Sequence, residues 1–275
     1  MKSREIQRAI DELSSLWSAS GVKEGDTVLI HSSLSRTLRR YKDAGIPLTP
    51  ADAVESFLQA VGSQGTMVFP LWNFDFSRGV PFDIRNTPSQ MGALTEAGRF
   101  HPQAVRTGHP IYNVAAIGKA SREFRGLVNF SGYGEESPFA LVHKMKGKVA
   151  VLDVVENDSV TFYHYVEEML NVPYRFHKRF VGDYTDHNGF QSKREFGLFV
   201  RFKEPDFEVH ITVDPMGELL WEKGLYQGDR PKSGSGLRVI PAETLYNETA
   251  RVIEEGSAEG LLYTVTGKRP KHLAG

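Results

Sequence analysis

The chain has 275 residues, a length that suits one large or two small domains with a sizeable core. Apolar residues make up 40% and charged residues 24%, which is the composition of a folded, soluble protein. The 33 lysines and arginines nearly balance the 34 aspartates and glutamates, so the charge indicates neither a nucleic-acid partner nor binding to an anionic membrane. Cysteine is absent, which excludes disulfides, thiolate zinc sites and cysteine nucleophiles.

The amino-terminal segment is charged and amphipathic, and it lacks the apolar region of a signal peptide. No apolar run approaches the ~20 residues that a membrane span needs. We therefore expect a cytoplasmic protein without a membrane partner.

Helices and strands are predicted to alternate through the first 170 residues. The predicted helices are 6–17 (ended by Gly21), 49–61, 91–100, one starting at Ser137 and 159–170, and the predicted strands are 28–30, 66–69, 112–117 and 149–154. Between them, the aromatic-rich segment 71–88 is a long irregular loop, a type that is usually functional. The alternation predicts an α/β fold in which a layered sheet is covered by helices on both faces.

From about residue 178 the pattern changes. Segments 180–184 and 196–202 alternate around His187-Asn188-Gly189, which predicts a β-hairpin with a tight turn. Helices near 217–224 and 242–255 flank a short strand at 237–240. We expect a single domain over residues 1–275 whose C-terminal lobe is mixed and partly antiparallel.

The first polar cluster follows the first strand and consists of His31, Ser32, Ser33, Leu34 and Ser35. Backbone N–H groups and small hydroxyls at the carboxyl end of a strand can wrap a phosphate, and guanidinium groups such as that of Arg40 suit its oxygens. The alternative is a serine-rich turn before a solvated basic stretch.

The second cluster is Arg106-Thr107-Gly108-His109-Pro110. A tight turn holds His109, whose imidazole is a useful base near neutral pH. A histidine of an ordinary surface loop is the alternative interpretation.

The third cluster runs from Asp158 to Glu167. Asp158 is placed to cap a helix, and Thr161, His164 and Glu167 then share one face at three-residue spacing. This face either lines a polar pocket or holds ordinary packed and solvated side chains. A metal site at His164 and Glu167 is a further alternative, although the usual H-x3-H spacing is absent.

In this order, the clusters resemble the aminoglycoside 3-N-acetyltransferase family, also called the antibiotic N-acetyltransferase family. The resemblance covers residues 5–170 well and the remainder loosely. The segments that carry it are His31-Ser32-Ser33-Leu34, Gly65-Thr66-Met67-Val68-Phe69-Pro70, Pro81-Phe82-Asp83, Thr87-Pro88-Ser89-Gln90-Met91-Gly92, Arg106-Thr107-Gly108-His109-Pro110, Val114-Ala115-Ala116-Ile117-Gly118, Gly132-Tyr133-Gly134-Glu135-Glu136-Ser137-Pro138 and the stretch from Asp158 to Glu167.

The resemblance implies an acyl-CoA-dependent N-acyltransferase with a fold unlike the common GNAT acetyltransferases. It implies that His109 is the general base, oriented by Asp158 or Glu167, and that acetyl-CoA or another acyl-CoA binds at the first cluster. Many relatives carry serine where this chain has Asn113, whose amide can still donate a hydrogen bond. The candidate cofactor-binding residues are His31, Ser32, Ser33, Leu34, Ser35, Arg40 and Asn113.

The expected reaction transfers an acyl group, expected to be acetyl, to a primary amine of an amino sugar, without a metal. The candidate acceptor-binding residues are Asp75, Asp83, Glu136 and His164. The acceptor is either an aminoglycoside, which favours an acidic cleft, or a nucleotide-linked amino sugar, which fits the mixed charges of loop 71–88.

The chain is a candidate homodimer. Two functions other than acyl transfer also remain open. One is a non-catalytic protein that binds CoA or a nucleotide. The other is a metal-dependent hydrolase that uses His109, Asp158, His164 and Glu167.

Overall fold

The computed structural model describes residues 3–268. The helices, in chain order, are α1 (Arg4–Ala19), α2 (Ser35–Asp43), α3 (Pro50–Val61), α4 (Ala93–Arg99), α5 (Pro138–Lys144), α6 (Phe162–Met169), α7 (Asp214–Glu222) and α8 (Ala242–Glu254). The strands are β1 (Thr27–Ser32), β2 (Thr66–Pro70), β3 (Phe82–Asp83), β4 (Val105–Arg106), β5 (Val114–Gly118), β6 (Lys148–Leu152), β7 (Arg175–Thr185), β8 (Gln191–Arg201), β9 (Lys203–Glu204), β10 (Phe207–Ile211), β11 (Gln227–Gly228), β12 (Leu237–Pro241) and β13 (Tyr263–Gly267). The predicted α/β fold is confirmed.

A seven-stranded sheet in the order β11-β12-β6-β1-β2-β5-β4 forms the centre of the molecule. Strand β1 pairs in parallel with both β2 and β6, and the outer strands join antiparallel. Ser32 is in register with Leu152, and the amide of Ser33 donates to the carbonyl of Leu152 over 2.8 Å. The first and third polar clusters therefore leave the sheet at the same edge, side by side.

Helices cover both faces of this sheet, because its central strands are apolar on both sides. Val28 and Ile30 of β1 pack with α1 and α3, where Trp17 stacks on Phe57 at 4.7 Å. Leu29, which points to the opposite face, packs in the core that α5, α6 and α8 share. The two-faced burial that the apolar runs predicted is confirmed.

Helix α3 begins where the sequence predicts it. The Thr49 hydroxyl accepts from the amide of Asp52, the Asp52 carboxylate accepts from the amide of Thr49, and Pro50 occupies the first turn. This reciprocal capping box fixes the start of the helix.

The C-terminal lobe is built on the hairpin β7–β8, in which Arg175 pairs with Arg201 at the open end. Gly189 has φ +85°, as the predicted turn requires, although five residues, 186–190, join the strands. A second small sheet has the order β13-β10-β9, and β3 pairs with β7. Strands β11 and β12 return to the central sheet, so the polypeptide after residue 178 contributes to both the C-terminal lobe and the central sheet.

Two local predictions differ from the structure. Helix α2 was not predicted, because its sequence is almost wholly polar and only Thr37 and Tyr41 are buried. Helix α6 begins after Thr161 without a side-chain cap, since a 3₁₀ turn occupies Glu156–Asp158. Asp158 therefore does not cap this helix. Within residues 3–268, no helix is long and apolar enough to cross a bilayer.

Candidate active site

A cavity of about 220 Å³ lies where the loops after β2 and β6 meet the segment that precedes β5. Its aromatic wall comes from Trp72, Phe74 and Tyr112. Its polar wall comes from the third cluster and includes Asp158, Thr161 and His164. An apolar surface with a few convergent polar groups is typical of a small-molecule site.

His164 and Glu167 form a hydrogen-bonded pair at this cavity. Nδ1 of His164 lies 2.7 Å from Oε2 of Glu167, and the Glu167 side chain is only 1% exposed. The Tyr174 hydroxyl donates to Oε1 of Glu167 over 3.0 Å, and Nε of Arg175 lies 2.8 Å from Oε2. A buried carboxylate held in this way orients the imidazole and favours a proton on Nδ1.

The electrostatics favour an ionised Glu167 and a neutral His164. Burial raises the pKa of Glu167, but the charge of Arg175 and the His164 contact outweigh it, so its pKa is lowered. Burial and then Arg175 lower the pKa of His164, while Glu167 opposes them. Nε2 of His164 forms no hydrogen bond with any residue that the structure describes. That nitrogen is free to accept a proton from a molecule in the cavity.

His109, the base that the sequence predicted, is fully buried and hydrogen-bonded to the backbone. Its Nδ1 accepts from the amides of Ile111 and Tyr112 at 3.2 and 2.9 Å, and its Nε2 lies 3.3 Å from the carbonyl of Gly197. Burial lowers its pKa to about 4. Because backbone groups engage both ring nitrogens, His109 stabilises the contact between the segment that precedes β5 and the hairpin β7–β8. A base must present a free nitrogen to its substrate, and this geometry does not suit that role.

The first polar cluster lies partly at the surface and partly in the core. Ser32 and Ser33 are half-buried and Ser35 is exposed at the start of α2, whereas Leu34 packs in the core. His31 is buried 5.4 Å from the Trp72 ring, and burial lowers its pKa to about 3.

Two predicted cofactor-binding side chains are engaged elsewhere. Arg40, near the end of α2, contacts Glu12 of α1 at 3.1 Å and the hydroxyl of Tyr41 at 2.8 Å. Asn113 is fully buried, and its Oδ1 accepts from Nε of Arg106 over 2.8 Å. Neither side chain lines the cavity at His164.

The predicted acceptor-binding carboxylates are dispersed. Asp75 pairs with Arg78, and Asp83 binds Arg85 through both oxygens. The Arg85 hydrogen bond, opposed by burial, is the main cause that lowers the pKa of Asp83 to about 2. These two carboxylates stabilise their own loop, and neither lines the cavity at His164.

Glu136 instead lies in a second cleft of about 670 Å³, which we call the acidic cleft. Its lining includes Phe130, the carboxylates Glu135, Glu136 and Glu168, and the basic side chains His177 and Arg179. Tyr133, adjacent to the cleft residue Gly134, has its ring 5.3 Å from the His164 ring. The acidic cleft therefore lies directly beside the His164–Glu167 pair.

Sequence reasoning did not find Tyr174 and Arg175. They follow α6 in the sequence, but their contacts with Glu167 depend on how the hairpin packs against the helix. The short segment Pro173-Tyr174-Arg175 was the only available signal. Within residues 3–268, the side chains form no group of three histidines or acids that could hold a metal ion.

Curated proteins that are similar in sequence to this chain include aminoglycoside acetyltransferases. An aminoglycoside N(3)-acetyltransferase IV from Salmonella sp is 31% identical over 156 residues, which is 56% of each chain. An aminoglycoside N(3)-acetyltransferase VII from Streptomyces paromomycinus is 28% identical over 229 residues, 74% of this chain and 66% of that protein. The matches thus span less than two-thirds of either relative's length.

Solved structures show the same fold. A structure described as AAC-IIIb binary with CoASH superposes with a TM-score of 0.76 and 21% identity, covering 90% of this chain and 96% of that one. AAC-VIa bound to sisomicin gives a TM-score of 0.70 and 21% identity, covering 91% and 98%. The family model for aminoglycoside 3-N-acetyltransferase matches residues 29–225, and the chain belongs to this family.

Proposed function

We propose that the protein is an acetyl-CoA-dependent N-acetyltransferase whose acceptor is an amine of an aminoglycoside, with His164 as the general base. The observation that carries this proposal is the His164–Glu167 pair, which presents a free Nε2 to an aromatic cavity at the edge of the central sheet. The match to the aminoglycoside 3-N-acetyltransferase model supports the reaction class.

The residues near the first cluster fit an acyl-CoA. Helix α2 begins after Leu34 without a side-chain cap, so its first N–H groups and its dipole favour an anion such as a phosphate. The half-buried Ser32 and Ser33 provide hydroxyls at the same edge. When bound, acetyl-CoA supplies the activated thioester. A related structure, AAC-IIIb, is described as a binary complex with CoASH.

In the proposed reaction, His164 prepares the acceptor. An amine is an ammonium ion near neutral pH and becomes a nucleophile only when a base removes its proton. Nε2 of His164 takes that proton, and Glu167 stabilises the imidazolium that forms through Nδ1. Trp72 and Tyr112, both largely buried, form an apolar wall of the cavity, and less polar surroundings strengthen these electrostatic interactions.

The acidic cleft supports an aminoglycoside rather than a nucleotide-linked acceptor. Glu135, Glu136 and Glu168 outnumber the arginine that lines the cleft, Arg179, which is paired with Glu195 at 2.9 Å. The cleft should therefore attract a polycation and repel phosphates. AAC-VIa, which shares the fold, is described as bound to sisomicin. Because both Asp75 and Asp83 are paired with arginines, loop 71–88 adds little attraction for a cation.

The other predicted roles remain predictions. His109 as base is not supported by its burial and its backbone hydrogen bonds. Asp158 lines the cavity as an exposed carboxylate, and we propose that it contacts the acceptor rather than a histidine. A homodimer is an expectation that light scattering tests.

The decisive test follows free thiol release from acetyl-CoA with a panel of aminoglycosides and nucleotide-linked amino sugars. We expect acceptor-dependent turnover with at least one aminoglycoside, and NMR of the product will identify the modified amine. CoA binding without turnover of any amine would instead favour the non-catalytic alternative. Efficient turnover of sugar nucleotides alone would contradict the proposed acceptor.

A further inference from the structure

Arg175 contacts both members of the proposed catalytic pair. Its Nη2 lies 2.8 Å from Nδ1 of His164, and its Nε lies 2.8 Å from Oε2 of Glu167. Nη1 donates to the carbonyl of Phe199 on β8 over 3.0 Å, which fixes the guanidinium against the hairpin. The side chain is 3% exposed, so solvent screens these contacts poorly.

Glu167 and Arg175 compete for the same atom of His164. In a neutral imidazole, Nδ1 carries either a proton or a lone pair. If Nδ1 is protonated it donates to Glu167, and the lone pair is on Nε2, at the cavity that His164 lines. If Nδ1 has the lone pair it accepts from Nη2 of Arg175, and Nε2 is protonated. The first tautomer is a base for an amine and the second is not.

Arg175 also opposes a second proton on the imidazole. The second proton would be added at Nε2 and would give the ring a positive charge, while its Nδ1 lies 2.8 Å from a guanidinium nitrogen in a poorly solvated site, so the two cations would repel each other. We propose that Arg175 is a positioning residue that keeps His164 singly protonated in the free enzyme, so that acetyl transfer persists into mildly acidic medium. This inference rests on the proposed role of His164 as the base.

Among the charged and titratable groups around His164, Arg175 is the cation with the largest effect on the imidazole. Arg201 on β8 also acts electrostatically on His164, but it is paired with Glu208 at 3.2 Å. The remaining groups are Glu167 on α6, Tyr133 before α5, Tyr112 before β5, Tyr174 before β7, and Asp158 at the cavity. None of these is a second unpaired cation.

The test titrates the His164 ring by NMR in the intact enzyme, with His164→Gln used to assign its signal. In the wild-type enzyme we expect a titration midpoint below 6.5 and a neutral form protonated on Nδ1. In Arg175→Gln we expect the midpoint to rise by about one pH unit or more. The acid limb of kcat/KM for an aminoglycoside should move by the same amount. Arg175→Lys, which keeps the charge, should restore most of the wild-type value.

The matched control is Arg194→Gln, which removes a cation from the far end of the same hairpin and should leave the midpoint unchanged. A purely structural role for Arg175 would lower stability and kcat without moving the midpoint, and that result would overturn the inference. If Arg175→Gln does not fold, a wild-type midpoint at or above 6.5 would also overturn it. The NMR titration needs no turnover, so an inactive enzyme with the expected midpoints would contradict the proposed function while it confirmed the effect of Arg175 on the protonation of His164.

Discussion

The imidazole of His164 and the carboxylate of Glu167 lie one turn apart on α6, with Nδ1 and Oε2 separated by 2.7 Å. The i,i+3 spacing brings the two side chains together, and the burial of Glu167 excludes water from their contact. The free nitrogen of His164 then faces the cavity. His109 differs, because backbone groups engage both of its ring nitrogens.

We predict that His109→Ala lowers the free energy of unfolding by at least ~2 kcal/mol, because it leaves buried backbone groups without partners and creates a void. Urea denaturation followed by fluorescence measures this change. Any loss of activity should follow the unfolded fraction. A variant as stable as the wild type but at least about 100-fold slower would return the role of base to His109.

Mild acid should destabilise the protein through two buried histidines. Burial lowers the pKa of His31 to about 3 and that of His109 to about 4, whereas both titrate near ~6.5 in the unfolded chain. As the pH falls from ~6.5 towards 4, the unfolded state therefore binds protons that the folded state does not. Each histidine then contributes a loss of stability of roughly 1.4 kcal/mol per pH unit.

Urea denaturation at a series of pH values between 7 and 4.5 measures the slope of the unfolding free energy against pH. His31→Gln and His109→Gln should each flatten it, even if they lower stability at pH 7. His187→Gln, in the exposed hairpin loop, is the control. An equal slope in the wild type and in both buried variants would show that neither histidine resists protonation.

Fold stability depends on a buried ion pair beside the cavity. Oε2 of Glu156 lies 2.9 Å from Nη2 of Arg238, and Oε1 accepts from the hydroxyls of Tyr163 and Tyr226, each over 2.6 Å. Arg238 is 1% exposed, so its removal leaves a buried carboxylate without its cation. We predict that Arg238→Leu lowers the free energy of unfolding by about 3–5 kcal/mol.

Thermal denaturation of Arg238→Leu and Arg230→Leu tests this. Arg230 forms a comparable pair with Glu218 at the exposed surface, where loss of the pair should change the melting temperature little. Equal melting temperatures for the two variants would show that burial of the Glu156–Arg238 pair does not contribute as we expect.

The sequence predicted the central sheet and the His164–Glu167 face, because apolar runs and three-residue spacing are local patterns. It did not identify which histidine is accessible, since the partners of His109 include Gly197 on a distant strand. Arg175 was missed for the same reason, as its carbonyl partner Phe199 also belongs to β8. Contacts between segments far apart in the chain leave no periodic signal.

The acidic cleft should govern affinity for a polycationic acceptor. We predict that Glu136→Gln raises the KM for an aminoglycoside by about 2–5-fold at low salt, as expected for a partly exposed charge contact. Asp83→Asn is the control, because Arg85 already neutralises that carboxylate. The KM of the wild type should also rise with ionic strength, since the Debye length falls from ~10 Å at 0.1 M to ~3 Å at 1 M. A KM that neither Glu136→Gln nor salt changes would show that the cleft does not bind the acceptor.

The most direct measurement is the turnover number of His164→Gln with acetyl-CoA and an aminoglycoside that the wild-type enzyme acetylates. Calorimetry on the same variant verifies that CoA still binds. We predict a loss of about 10²–10⁴-fold in kcat with CoA affinity unchanged, as expected when a general base is removed. A folded variant with nearly wild-type turnover at neutral pH would contradict His164 as the base.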